Sequence, residues 1–184
     1  VISPSTVNIT YGTVLTNLTG ADKCWITRNL GATQQATSAT DATDASAGWY
    51  WQFNRKQGYA VGPSPAWSIT SIDESLDWQA ANDPCTLLIG TGWHIPTSTE
   101  WSNADVNGAW DNYDETYASV LKLHAAGDLR RDTGELINRG SSGFCWSRTQ
   151  ANNVDGNYLN FDSGISNMNS VYKTYGFSVR CIRD

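Results

Sequence analysis

Gly92-Trp93-His94-Ile95-Pro96-Thr97-Ser98-Thr99-Glu100-Trp101 carries the clearest local signal in the chain. Pro96 stops an extended segment, because its ring fixes φ and it has no N–H to give to a ladder. Thr97 or Ser98 then stands where a helix needs a cap, with Glu100 in the first turn, the pattern of a capping box. The helix predicted here is short, since Gly108 follows.

Upstream of this stretch, residues 1–10 read as an extended lead-in, their Ser, Thr and Pro4 suiting a linker or an edge strand. Residues 11–15, a turn at Thr19-Gly20, and residues 23–28 predict a hairpin whose second arm sets Cys24 and Ile26 against Lys23, Trp25 and Thr27. From 32 to 47 the composition falls to Ala, Thr, Ser, Asp and Gln, which predicts a surface loop with little to bury. Gly48-Trp-Tyr-Trp-Gln-Phe53 is aromatic and strand-like. Residues 58–83, with Pro63 and Pro65, predict a long loop, and loops of that length commonly serve function.

Downstream, Tyr117, Val120, Leu121 and His124 fall at helical spacing and predict a second helix over 115–126, ended by Gly127. Phe144-Cys-Trp-Ser147 opens a strand. Tyr158-Leu-Asn-Phe-Asp162 alternates with Leu159 and Phe161 inward, before a turn at Ser163-Gly164. Gly176-Phe-Ser-Val-Arg-Cys-Ile-Arg-Asp184 alternates again and reads as a final strand.

The 184 residues suffice for one well-buried core. Charged residues make up 16% and the formal net charge is −6, with no basic stripe of the kind that neutralises phosphates, so nucleic acid is not an expected partner. No apolar run is long enough to insert into a bilayer. Nine Trp and eight Tyr against one Met supply a core from few positions. The chain starts at Val1 without a signal-peptide pattern and reads as a processed or trimmed form. Cys24, Cys85, Cys145 and Cys181 lack metal-ligand spacing, and with only His94 and His124 available no metal site is expected. One or two disulfides fit an exported protein, and spacing alone leaves their connectivity open.

Five segments in order resemble one bacterial family: Cys24-Trp-Ile-Thr-Arg-Asn-Leu-Gly31, Gly92-Trp-His-Ile-Pro-Thr97 with Glu100-Trp101, Gly140-Ser-Ser-Gly143, Trp146-Ser147, and the closing nonapeptide 176–184. They look like the Fibrobacter succinogenes major paralogous domain, a relative of the formylglycine-generating-enzyme branch of C-type-lectin-like folds. The resemblance spans residues 11–184 and implies a single α+β domain of C-type-lectin-like fold. That domain would have small antiparallel sheets, two helices, long loops, and N- and C-terminal strands paired. Similar members keep a Cys ahead of the Trp-His segment and one in the final strand, which implies a Cys85–Cys181 bridge. Cys24 competes for Cys181, because first and last strands should be neighbours, and Cys145 is expected to stay unpaired.

A second resemblance lies inside the first, to the variable proteins of diversity-generating retroelements, whose C-terminal segment is diversified at adenines. It implies a ligand-binding segment over 144–175. The candidate contact residues are Arg148, Asn152, Asn153, Asp155, Asn157, Tyr158, Asn160, Asp162, Asn167, Asn169, Tyr172 and Tyr175. Tyr gives rigid contact area at low entropic cost while Asn adapts its hydrogen bonds, as in antibody loops. Tyr158, Tyr172 and Tyr175 are the expected anchors, with Arg148 as a hot spot.

The chemistry of the remaining residues points away from catalysis. No nucleophile, base and orienting group assemble: His94 is held in the Trp-His-Ile-Pro segment and His124 lies on the apolar side of the predicted helix. The calcium-dependent sugar motifs are absent, Trp110-Asp111-Asn112 being in a different order, although Asp111, Asp114 and Glu115 offer oxygens to a hard cation. The expectation is a non-enzymatic, cofactor-free ligand-binding or adhesion module, secreted or on a cell or virion surface, with a protein ligand or cell-surface receptor as partner. The alternative is a carbohydrate-recognition or structural module of a larger surface protein.

Overall fold

In the computed structural model, which describes residues 3–184, Thr97 closes a reciprocal capping box on the helix Ser98–Gly108. Its Oγ1 accepts from the Glu100 N–H at 3.1 Å, and Glu100 Oε2 accepts from the Thr97 N–H at 2.8 Å. The helix buries Trp101 and Ala104 and ends at Ala109 in the left-handed region (φ 52). Gly108 is required there: a Cβ would lie 2.3 Å from Trp110 Nε1.

The elements run β1 (Thr13–Thr16), β2 (Lys23–Ile26), α1 (Asp44–Ala47), β3 (Tyr50–Trp51) and β4 (Gly58–Tyr59). A 3-10 turn at Ala80–Asn82 leads to α2 (Pro84–Leu88), β5 (Trp93–His94), α3 (Ser98–Gly108) and α4 (Tyr113–Ala118). There follow β6 (Asp128–Leu129), β7 (Leu136–Ile137), β8 (Gly143–Gln150), β9 (Asp155–Phe161), β10 (Ser166–Tyr172) and β11 (Ile182–Arg183). The architecture is mixed, with small antiparallel sheets and few helices. One sheet has the order β1-β2-β11-β5 and another β10-β9-β8, beside the two-stranded pairs β3-β4 and β6-β7. The described residues hold four short helices rather than the two expected.

The last strand does not pair with the first. Ile182 lies opposite Trp25 on one side and His94 on the other, so β11 sits between β2 and β5 while β1 takes the outer edge. Burial explains the order: Trp25, Ile26 and Ile182 are fully enclosed, whereas β1 exposes Leu15 and belongs outside. A disulfide joins Cys85 in α2 to Cys181 just before β11, and Cys24 and Cys145 are free thiols.

The helix expected over 115–126 stops at Ala118. Ser119 is extended (ψ 165) and Lys122 is left-handed (φ 52). The carbonyls of Leu121 and Lys122 accept from the buried Arg180 guanidinium, and the Ala125 N–H goes to Ala39 O at 2.7 Å. Long-range bonds thus replace the helical ones, and His124 is enclosed in irregular chain rather than on a helix face.

Residues 32–47 are not a bare surface loop. Ala32, Ala36, Ala39, Asp41, Ser46 and Ala47 are buried. Asp41 organises the turn by accepting from the N–H groups of Thr37 and Thr43, both at 2.9 Å. Burial opposes its charge, yet these bonds hold the carboxyl below the usual range. Small side chains suit this path because backbone and core approach closely. Of the lead-in, Val1 and Ile2 lie outside the described residues; residues 3–10 form no strand, and Ile9 packs on the core.

Eight of the nine Trp are buried, all but Trp67. Around β8–β9–β10 the core divides. Trp146 and Tyr158 join Trp51, Phe53, Trp78 and Phe177 in one cluster; Cys145, Leu159 and Phe161 join Trp25, Trp101 and Leu121 in another. Alternate residues of β8 and β9 therefore enter opposite clusters, as a pleated strand with both faces covered must do.

Candidate ligand-binding surface

β9 is the central strand of its sheet, with β8 and β10 on either side. That placement corrects two of the proposed contact residues. Tyr158 is 8% exposed and packs against Phe144, Trp146 and Phe177, the last at 4.8 Å between centroids. Asn160 is 9% exposed, between Phe144 and Asn167 in register. Alternation along β9 predicts one buried face and one open face; both are buried, because a second aromatic cluster covers the face opposite Leu159. Tyr158 and Asn160 are scaffold.

Tyr172, Asn167 and Asn169 lie on β10, the sheet edge, and are exposed. Asn152 and Asn153 are exposed at the β8–β9 turn. Asn152 Oδ1 accepts from the N–H groups of Val154 and Asp155, and its Nδ2 donates to Asp155 Oδ2, all at 2.9 Å, so this pair builds the turn. Asp162 does the same for the β9–β10 turn, its Oδ1 accepting from Gly164 N and Ile165 N. Asp155, Asn157, Asp162, Arg148 and Tyr175 are half-buried. The Tyr175 ring lies tilted against Phe177, 5.8 Å between centroids, and the Arg148 backbone is held by Pro96 O and the Trp78 N–H, both at 2.8 Å.

Three long-range devices hold this hairpin unit in place. The Glu74 N–H donates to Asn153 O at 3.0 Å, and the Trp78 N–H to Arg148 O, so residues 74–78 run along the end of β8 and its turn. Lys173, fully buried, donates from Nζ to Glu74 O, Gln150 Oε1 and Asn153 O at 2.7–3.0 Å. Trp146 donates its indole N–H to Trp51 O at 2.6 Å. At Gly156 the backbone runs so close to Phe53 that a Cβ would meet its ring at 2.4 Å.

Several groups near this surface come from distant parts of the chain and are not among the predicted residues. Ser98, Thr99, Ser102 and Asn103 of α3, with Asn157 and Met168, line a groove of about 300 Å³. Arg131 stacks over Tyr172 at 4.2 Å. No sequence periodicity ties α3 or the β6–β7 turn to the hairpin; only their packing against β8–β10 does.

His94, Glu100 and Asp184 form a group spaced closely enough for a metal, their ligand atoms within 4.8 Å. Lys23 Nζ already sits on it, 2.9 Å from Glu100 Oε1 and bonded to Asp184 Oδ1. The two carboxylates, Asp184 first, raise the Lys23 pKa, so a fixed ammonium fills the cation's place. Among the other titratable groups, burial pushes the Cys145 thiol up to about 12, the reverse of an activated nucleophile. His124 has no hydrogen-bond partner on either ring nitrogen among the described residues.

No protein-family model matches this chain, and no curated protein matches it.

Proposed function

We propose that this protein is a non-enzymatic ligand-binding or adhesion module of C-type-lectin-like fold over residues 11–184, preceded by a lead-in. In this reading it belongs with the Fibrobacter succinogenes major paralogous domains, and residues 144–175 are its retroelement-diversified, partner-facing segment. It acts outside the cell or on a cell or virion surface, and its partner is a protein or cell-surface receptor.

One observation carries the reading. Asn152, Asn153, Asn167, Asn169 and Tyr172 are exposed on a single hairpin unit whose intervening residues Trp146, Tyr158, Leu159 and Phe161 are buried in two core clusters. Side chains can vary on such a support without disturbing what holds it, and amide-plus-tyrosine composition suits adaptable protein contact. The raised Cys145 pKa and the bridged Cys85 favour a binding role over thiol chemistry. Among the described residues no helix is long and apolar enough to cross a membrane.

A carbohydrate-recognition reading has its own support in the uncharged groove of Ser98, Thr99, Ser102, Asn103 and Asn157. Hydroxyls and amides over a Met168 floor suit a neutral saccharide. The test is binding of labelled chain to intact host cells and to a glycan array. The protein-binding reading expects loss on cells when Asn153, Asn167 and Asn169 become Ala together, with unfolding curves unchanged; Asn152 is kept because its side chain builds the β8–β9 turn. Unchanged cell binding would sink it, and glycan binding lost with Ser102→Ala and Asn157→Ala would put the saccharide reading in its place.

A further inference from the structure

β10 is hydrogen-bonded on one side only. The Asp162 N–H bonds Ile165 O and the Lys173 N–H bonds Val154 O, both at 2.9 Å, so odd-numbered residues of this strand face β9. Antiparallel alternation then turns the N–H and C=O groups of Ser166, Met168 and Ser170 outward. Among the described residues these groups have no backbone partner, and only the Ser170 N–H is met, by Asn169 Oδ1 at 2.8 Å. The strand, Ser-Asn-Met-Asn-Ser-Val-Tyr, contains no charge and no proline. Natural edges are usually blunted by just such residues. This edge is left open.

At its C-terminal end stands an Arg without a counter-ion. The Arg131 guanidinium lies 4.2 Å over the Tyr172 ring and makes no ion pair or hydrogen bond among the described residues. Its base is fixed: Arg131 O accepts from Trp67 Nε1 at 3.0 Å, and the adjoining turn is closed by Arg130 N to Glu135 O at 2.9 Å. Beside it a cavity of about 150 Å³ is bounded by Arg131, Tyr172, Thr70, Ser71 and Val154. That is room for a side-chain head group. A guanidinium held over an aromatic ring, with its donors unpaired among the described residues, is prearranged for a carboxylate.

We propose that β10 is a docking edge for an extended, acid-bearing segment of a protein partner. The segment adds as a fourth strand through the backbone of Ser166, Met168 and Ser170 and seats a carboxylate on Arg131. Strand addition draws affinity from main-chain bonds and selectivity from side chains at fixed positions, here one acid at one end. A second copy of this chain is the poorer occupant, because its own β10 carries no acid to meet Arg131. The inference rests on the ligand-binding reading and adds to it the chemistry of the partner.

The test titrates the full 15N-labelled chain with an acetylated, amidated Thr-Val-Thr-Val-Glu peptide. Two counterparts serve as controls, one with Gln for Glu and one N-methylated at alternate amides. Saturable shifts are expected at the Met168 and Ser170 amides and at Arg131 Nε, with affinity lowered about tenfold by either change to the peptide and by Arg131→Gln. Tyr172→Leu, which keeps the charge but removes its platform, should weaken binding by about two- to fivefold. Equal affinity for the N-methylated peptide, shifts confined to other residues, or no shifts at all would overturn the proposal. So would concentration-dependent shifts of β10 in the chain alone, which would indicate self-pairing. If Arg131→Gln still binds host cells while the Asn substitutions abolish that binding, the docking edge falls and the wider reading stands.

Discussion

Lys173 donates a hydrogen bond from Nζ to the backbone carbonyl of Glu74 at 2.7 Å, although 99 residues separate them. Two more acceptors, Gln150 Oε1 and Asn153 O, use the other two ammonium protons. A single buried cation therefore joins the long loop 58–83 to the end of β8 and to the β8–β9 turn. Lys173→Met keeps much of the stem packing and removes all three bonds. It should cost about 2–4 kcal/mol in urea unfolding and speed amide exchange at Glu74, whose N–H bonds Asn153 O. A loss below about 0.5 kcal/mol would show that the loop is held by other means.

Arg180 has the corresponding role on the other side of the core. Fully buried, it donates to Asn29 Oδ1, to the carbonyls of Ile26 and Leu121, and to Lys122 O. Burial draws its pKa down to about 10. Lysine's compact ammonium cannot reach four acceptors arranged around a planar fork. Arg180→Lys is expected to destabilise by about 2–5 kcal/mol, measured by thermal or denaturant unfolding. Retention of wild-type stability would refute this account of why the helix ends at Ala118.

Acid should separate two buried groups of opposite effect. Burial, and then the Arg180 charge, pulls His124 down to about 3 from its ordinary 6.5. Between those values the unfolded chain binds more protons, so the stability present above pH 6.5 is lost as pH falls towards 3, by about 4–5 kcal/mol. Burial raises Asp128 to about 6 from 3.8, against the hydrogen bond from Asn138. Its contribution is full below pH 3.8 and is lost as pH rises to 6, by about 3 kcal/mol. His124→Leu should flatten the acid limb of a stability–pH curve and Asp128→Asn should steepen it. Parallel curves for the two variants would contradict the assignment.

Two tyrosines of the proposed segment should behave oppositely. Tyr158→Ala empties a site among Phe144, Trp146 and Phe177 and should cost about 3–5 kcal/mol. Tyr172→Ala, at 47% exposure, should change stability by less than about 1 kcal/mol and lower ligand affinity instead. Similar unfolding midpoints for the two variants would mean that the burial contrast carries no energetic weight.

Features that depend on near neighbours were legible in the chain. The capping box at Thr97 and Glu100, the turn at Thr19-Gly20, the β9 strand and the polar, Tyr-bearing character of 144–175 all rest on residues a few positions apart. Most of the tryptophans were legible as core from their area alone. Tertiary structure decided the rest. It ended α4 at Ala118, because Arg180 and Ala39 claim the backbone groups a longer helix would use. It withdrew Tyr158 and Asn160 from the ligand surface, because a strand's period of two says that faces differ and not that one is open. It brought Arg131 onto Tyr172 and left the edge of β10 unpaired. Burial and long-range hydrogen bonds are set by segments far apart in the chain, and no local spacing records which segments will meet.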